Sequence, residues 1–168
     1  LYLSPVTQAR DGSTHGYDVI DHQRVNAALG GEAALRRLAA AARDLGVGLI
    51  ADIVPNHMAA HASNAWWADV LRLGQRSPHA RVFDIDWQAP DPALRGKVLL
   101  PVLPDPYGAC LASGAIQLVH DQDAFFVSVS AQRLPLAPGF AADAGGPETT
   151  CAAYNAQTAD ARARLHDL

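Results

Sequence analysis

Three short runs of the chain carry side chains able to bind a ligand: Ser13-Thr14-His15-Gly16-Tyr17-Asp18, Asp52-Ile53-Val54-Pro55-Asn56-His57 and Asn64-Ala65-Trp66-Trp67. Together they supply aromatic rings, imidazoles, an amide and a carboxylate. That set suits a sugar, which offers apolar C–H faces to a ring and many hydroxyls to polar groups. It does not suit a phosphate, because no glycine-rich turn carries a lysine or opens onto a helix. His15, His57 and His61 lack the spacing of metal ligands, so no metal and no cofactor is expected. Asp52, close to a strand end, serves equally well as a structural group that satisfies backbone or holds an arginine. Trp66 and Trp67 are adjacent, about 100° apart on a helix. One is expected in the core, and for the other a core position outweighs a sugar platform. Asp84 and Asp86 straddle Ile85 and would share one face of a strand, but so do many loop carboxylates, and they receive no catalytic role.

The elements that must position these groups follow from the apolar pattern. Leu1–Val6 reads as a short strand ended by Ser4-Pro5, and Thr7–Tyr17 as a polar loop too long for a simple connector. Leu29-Gly30-Gly31 opens a helix in which Leu35, Leu38, Ala42 and Leu45 recur at offsets of three and four. Glu32 stands in its first turn, where the helix dipole favours an anion, and Gly46 follows where a left-handed cap is wanted. Val47–Val54 is nearly all apolar and suits a strand buried on both faces of a parallel sheet, with Pro55 ending it. Strand, helix and strand make a βαβ unit. In parallel α/β folds, side chains at the carboxyl ends of strands gather at one mouth. If the two strands are neighbours, His15, Tyr17, Asp52, Asn56 and His57 converge there.

Farther along, Asn64 is placed to cap a helix over Ala65–Leu73, stopped by Gly74. Proline and glycine then become frequent and the apolar runs short, namely Val82–Ile85 and Lys97–Val102. Ile116–His120 and Ala124–Ser130 flank Asp121-Gln122-Asp123 as a hairpin. The expected division is 1–74 for the βαβ unit and its following helix, and 75–135 for a small, mainly β insertion. Residues 136–168 complete it as a linker and C-terminal helix. Leu134–Thr150 is the Pro/Gly-rich linker and Ala152–Leu168 the helix.

Composition narrows the function classes. Of the 168 residues, 49% are hydrophobic and 18% charged, too apolar and too weakly charged for a disordered chain. A net charge of −4 without a basic cluster argues against nucleic acid or an anionic membrane as the main partner. No apolar run approaches the roughly 18 residues of a membrane span. Two cysteines make neither a disulfide scaffold nor a metal site, and a reducing, cytoplasmic setting is the default. The chain opens at Leu1 inside an apolar run and reads as cut in the middle of a strand, with no signal peptide.

Asp52–His57 resembles the first signature region of the α-amylase superfamily (glycoside hydrolase family 13), an Asp-x-Val-x-Asn-His type motif ending barrel strand three. The Leu-Ser-Pro strand, His-Gly-Tyr loop and Leu-Gly-Gly helix start match in order. More narrowly, four motifs in order resemble the maltooligosyltrehalose synthase family. They are Gly12-Ser13-Thr14-His15-Gly16-Tyr17-Asp18, Asp52–Met58, Trp66-Trp67-Ala68-Asp69-Val70-Leu71 and Phe83-Asp84-Ile85-Asp86-Trp87. The similarity runs from Leu1 to about Leu136, and Ala137–Leu168 carries no matching motif.

The resemblance implies an α/β fold, a partial (β/α)8 TIM barrel (about strands 2–3) with a small, mainly β inserted subdomain. It implies a maltooligosaccharide substrate whose reducing-end α-1,4 link is isomerised into an α,α-1,1 trehalose link. The mechanism is a retaining one, in which the site must exclude water. By the same resemblance, Tyr17 stacks on the sugar where the bond breaks and His57 hydrogen-bonds its hydroxyls. His15 lies near that subsite, and Asp52 and Asn56 support it. The family's nucleophile, general acid and third carboxylate lie on barrel strands four, five and seven, beyond this chain. No catalytic residue is therefore assigned, Asp52 is not the nucleophile, and the chain alone is expected to be inactive. It would also expose one sheet face and an unpaired strand edge. The alternatives are another α-glucan-active hydrolase or trehalose synthase of the superfamily, and a non-catalytic sugar-binding module.

Overall fold

The computed structural model describes residues 1–130, 132–142 and 144–166. They form two compact units, Leu1–Ala65 and Trp66–Leu168.

The first unit holds β1 (Tyr2–Leu3), β2 (Thr7–Ala9), β3 (Val19–Val25), α1 (Gly31–Asp44) and β4 (Ile50–Ala51). β1 and β4 are parallel neighbours, with Tyr2 opposite Ile50 and Leu3 opposite Ala51. The Ile50 N–H donates to the Leu1 carbonyl and the Asp52 N–H to the Leu3 carbonyl, each at 2.9 Å. The helix between them starts where the glycine pair allows it, at Gly30 with φ of 90°. It ends at Gly46, whose φ of 68° lies in the left-handed region. There the Gly46 N–H donates to the Arg43 carbonyl at 2.9 Å and the Val47 N–H to the Ala42 carbonyl at 2.8 Å, the paired bonds of a Schellman cap. The βαβ unit read from the apolar pattern is present.

Two expectations are corrected here. Thr7–Tyr17 is not loop throughout: its first residues are β2, which pairs antiparallel with β3 in an irregular register. β3 escaped notice because Asp21-His22-Gln23-Arg24 breaks the alternation, and residues 22–24 are exposed. Its first residue, Val19, is fully buried in the core with Ala9. Val47–Val54 is not a strand buried on both faces. Only Ile50–Ala51 is strand, and Ile50 and Ile53 are 65% and 71% exposed. Among the described residues β4 has one strand neighbour, β1, which pairs one of its edges, and the exposed Ile50 marks a sheet face on which no other element packs.

The second unit is built from α2 (Ala65–Leu73), α3 (Tyr107–Ser113), the meander β5 (Ile116–Asp121), β6 (Ala124–Val129) and β7 (Gln132–Pro135), and α4 (Pro147–His166). α2 has the expected limits and buries Trp67 and Val70, three residues apart on one face. The β5–β6 hairpin closes Asp121 against Ala124, with Gln122 at φ 53° in the turn. α4 lies along the meander through Asn155, whose amide oxygen accepts from the Leu118 N–H (2.8 Å) and whose amide nitrogen donates to the Leu118 carbonyl (2.9 Å). This satisfies the open backbone groups of an edge strand.

The mainly β character expected of 75–135 is corrected as well, since strand is confined to β5–β7. Val82–Ile85 and Lys97–Val102 are irregular. Aspartate side chains compete for the backbone there: Asp86 Oδ1 accepts from the Gln88 N–H at 3.0 Å and Asp91 Oδ1 from the Ala93 N–H at 2.8 Å. α4 begins at Pro147, a residue suited to the first helical turn, ahead of the expected Ala152. The last two residues of the expected helix lie outside the described ones.

Candidate functional site

The register of β1 on β4 decides the site. Side chains alternate faces along a strand, so Tyr2, opposite Ile50, shares a face with Asp52, two residues beyond. The Tyr2 hydroxyl donates to Asp52 Oδ2 at 2.9 Å. The Tyr17 hydroxyl, arriving from the loop after β2, donates to the same oxygen at 2.7 Å. Hydrogen bonds from Tyr17 first, then Tyr2, hold the Asp52 carboxyl below its ordinary range. Conversely, the bond to Asp52 pushes both phenols above the ordinary tyrosine value, reinforced by the carboxylate charge. Both rings face solvent, with Tyr2 65% and Tyr17 44% exposed.

The loop that delivers Tyr17 is tied at its base by Asp18. The Arg10 N–H donates to the Asp18 carbonyl (3.1 Å) and the Arg10 guanidinium to Asp18 Oδ2 (3.3 Å). The Ser13 hydroxyl donates to Asp18 Oδ1 and itself accepts from the Gly16 N–H at 3.1 Å. Partial burial raises the Asp18 carboxyl, but the bonds from Ser13, its own backbone and Arg10, with the nearby His15, leave it below the ordinary value. Gly16 has φ of 79°, and a Cβ there would stand 3.0 Å from the Pro5 carbonyl oxygen. Only glycine lets the loop lie this close to the end of the first strand.

His15 stacks on Tyr17, with ring centroids 5.8 Å apart and planes 20° from parallel. Its Nδ1 accepts from the Tyr17 N–H at 3.0 Å. The neutral ring therefore carries its proton on Nε2, as a donor. His57 is the complement. Its Nδ1 lies 3.1 Å from Asn56 Oδ1, an acceptor only, so Nδ1 holds the proton and Nε2 is left as an acceptor.

The structure thus brings together Tyr17, Asp52 and His15, with Tyr2 added, and separately joins Asn56 to His57. Among the described residues the two groups are connected by the Asp52–Asn56 backbone and not by side-chain hydrogen bonds. Tyr2 was missed as a site residue because it reads as one apolar letter of a strand. The available signal was its place opposite Ile50, two residues short of the aspartate. Of the tryptophans, Trp67 is core at 8% exposure. Trp66 lies flat on His79, with centroids 4.9 Å apart. Among the described residues no three His, Cys, Asp or Glu side chains are grouped to hold a metal ion. No helix of the described residues is long and apolar enough to cross a membrane. A carboxylate tied by two phenols, one of them stacked with His15, presents exposed rings and hydroxyl-binding groups on one side of the unit, and Asn56–His57 forms a second polar pair farther along the chain.

Residues 1–110 match the family described as alpha amylase, catalytic domain. A putative maltooligosyl trehalose synthase of Mycobacterium tuberculosis (strain CDC 1551 / Oshkosh) is 46% identical over 149 residues, covering 88% of this chain and 18% of that protein. A crystal structure of maltooligosyl trehalose synthase superposes with a TM-score of 0.73 at 42% identity, over 80% of this chain and 18% of that one. The maltooligosyltrehalose synthase of Arthrobacter ramosus gives 0.69 at 42% identity, over 89% and 18%. The chain therefore spans 18% of the length of these relatives. With 110 of its residues under the family's description and the strand–helix–strand order in place, the chain belongs to the alpha-amylase family and has the α/β fold of its catalytic domain.

Proposed function

We propose that this chain forms part of the sugar-binding rim of a transglucosylase that converts the reducing-end α-1,4 link of a maltooligosaccharide into an α,α-1,1 link, leaving a terminal trehalose unit. The observation that carries this is the likeness to maltooligosyltrehalose synthases, at 46% identity in sequence over 88% of the chain. In this reading β1 and β4 are barrel strands two and three, and 75–135 is a subdomain inserted after the second of them. The Tyr17 ring stacks on the sugar whose bond is broken. His57 Nε2 accepts from a sugar hydroxyl, and His15 Nε2–H donates to another near the same subsite. Asp52 and Asn56 support the site by holding Tyr17 and His57. No residue of this chain is assigned as nucleophile or acid, because the family resemblance puts those carboxylates on later barrel strands, and Asp52 is held as an acceptor by two phenols. The setting proposed is cytoplasmic.

Maltopentaose provides the test, given to the 168-residue chain and to the intact protein carrying it. The chain alone should leave reducing ends unchanged. The intact protein should remove them without releasing an equivalent amount of glucose. A rise in reducing ends would make the parent a hydrolase, and a non-reducing product from the chain alone would place the catalytic carboxylates within it.

A further inference from the structure

The second unit contains a cavity of about 440 Å³ lined by its own residues alone, within the size range of roughly 300–1,000 Å³ for small-ligand pockets. Its floor is Trp67 against the half-buried Phe83, ring centroids 5.0 Å apart and 65° from parallel. Its walls include Leu94, and its polar edge is Asp84, Asp86 and Lys97. The wall is a preformed loop of the Ω type. The Gly96 N–H donates to the Trp87 carbonyl at 3.0 Å and closes the loop's ends. The Arg95 guanidinium donates to the Ala89 carbonyl at 3.1 Å, and the Trp87 indole N–H to the Ala80 carbonyl at 3.2 Å.

The polar edge is available. Asp86 commits only Oδ1, to the Gln88 N–H. Among the described residues the side chains of Asp84 and Lys97 make neither hydrogen bond nor ion pair. Two carboxylates against one ammonium disfavour a phosphate or carboxylate ligand, and a simple cation would use the carboxylates but leave the ammonium donor without a partner. A neutral polyol with an apolar face fits both the edge and the aromatic floor.

We propose that this cavity is a second saccharide site, which holds a glucosyl ring of an α-glucan without cleaving it. The choice of glucan rests on the function proposed above. The ring's C–H face lies on Phe83, Asp84 and Asp86 accept from vicinal hydroxyls, and Lys97 donates to a third oxygen.

Calorimetric titration of the intact protein with maltose tests this. Two binding events are expected. In Asp84→Asn/Asp86→Asn, changes confined to exposed side chains, one event should weaken by about tenfold or more, the loss of charge-assisted hydrogen bonds. Phe83→Leu should weaken the same event, and mannitol, which has no ring, should not compete for it. Tyr17→Phe should leave it untouched. Two unchanged events in the double variant, a single event lost on Tyr17→Phe, or equal competition by mannitol would each overturn the proposal. If maltopentaose gives no non-reducing product while the Asp84/Asp86-dependent event persists, the transglucosylase reading fails and the site stands.

Discussion

The hydroxyl of Tyr17 sits 2.7 Å from Asp52 Oδ2, although 35 positions of sequence separate them. That bond ties the loop after β2 to the end of β4, and Tyr2 completes the tie from β1. Three segments of the first unit that are separated in sequence thus meet at a single carboxylate oxygen.

Removing the hydroxyl and removing the ring should separate tethering from stacking. Tyr17→Phe keeps the ring but removes one of the two donors to Asp52, so maltopentaose binding by the intact protein should weaken modestly, by less than about tenfold. Tyr17→Ala loses both and should weaken it by about tenfold or more. Steady-state KM, supported by direct titration, reads the order. Equal losses in the two variants would remove the ring from the argument.

The shared carboxylate makes the acid and alkaline limbs depend on one residue. Asp52 is lowered in the folded state, so its stabilisation is present above the ordinary value of 3.8 and fades as pH falls through the lowered value. The phenols are raised, so their contribution is present below the ordinary value of 10.0 and lost as pH climbs through the raised one. Asp52→Asn should flatten the acid limb of urea midpoints and bring the two tyrosinate transitions, read by ultraviolet absorbance, back down toward that value. Unmoved transitions would mean the phenols are not held by Asp52 in solution.

Two glycines with similar positive φ differ in what surrounds them. Gly46 (φ 68°) has open space around a would-be Cβ, while Gly16 (φ 79°) faces the Pro5 carbonyl oxygen at 3.0 Å and the Pro5 Cβ at 3.3 Å. Gly46→Ala should cost only backbone strain, about 1 kcal/mol. Gly16→Ala should cost more, because the clash adds to the strain, and should shift Tyr17 away from Asp52. Urea melts rank the two, and the tyrosinate titration reports the displacement in Gly16→Ala alone.

Asn155 answers to both backbone groups of Leu118. Asn155→Ala leaves that edge of β5 without partners and should destabilise the second unit by about 1–3 kcal/mol. Amide exchange at Leu118 should quicken, and light scattering should rise on warming as the edge opens to other chains. Unaltered exchange at Leu118 would show that the amide clamp carries no weight.

Much of this was legible in the linear chain because the signals are local. The offsets of three and four in α1, its glycine stop, the limits of α2 and the hairpin around Asp121-Gln122-Asp123 all concern residues within one or two helical turns. β3 was not legible, since its polar run Asp21-His22-Gln23-Arg24 breaks the alternation, with residues 22–24 exposed to solvent. The irregular stretch after α2 read as strands because Val82–Ile85 and Lys97–Val102 are apolar, yet nearby aspartates bind the backbone in turns instead.

Residue types and order by themselves determined a βαβ unit, a sugar-competent set of side chains and the residues that could form it, including Tyr17, His57 and Asp52. Only the tertiary structure decided that Tyr2 joins them, that Asp52 is held by two phenols, and that His57 pairs with Asn56 instead. Periodicity reports which face a residue occupies on its own element. The register between β1 and β4, and the close pass of Gly16 over Pro5, are set by packing between elements distant in sequence, and those relations decide which polar atoms touch.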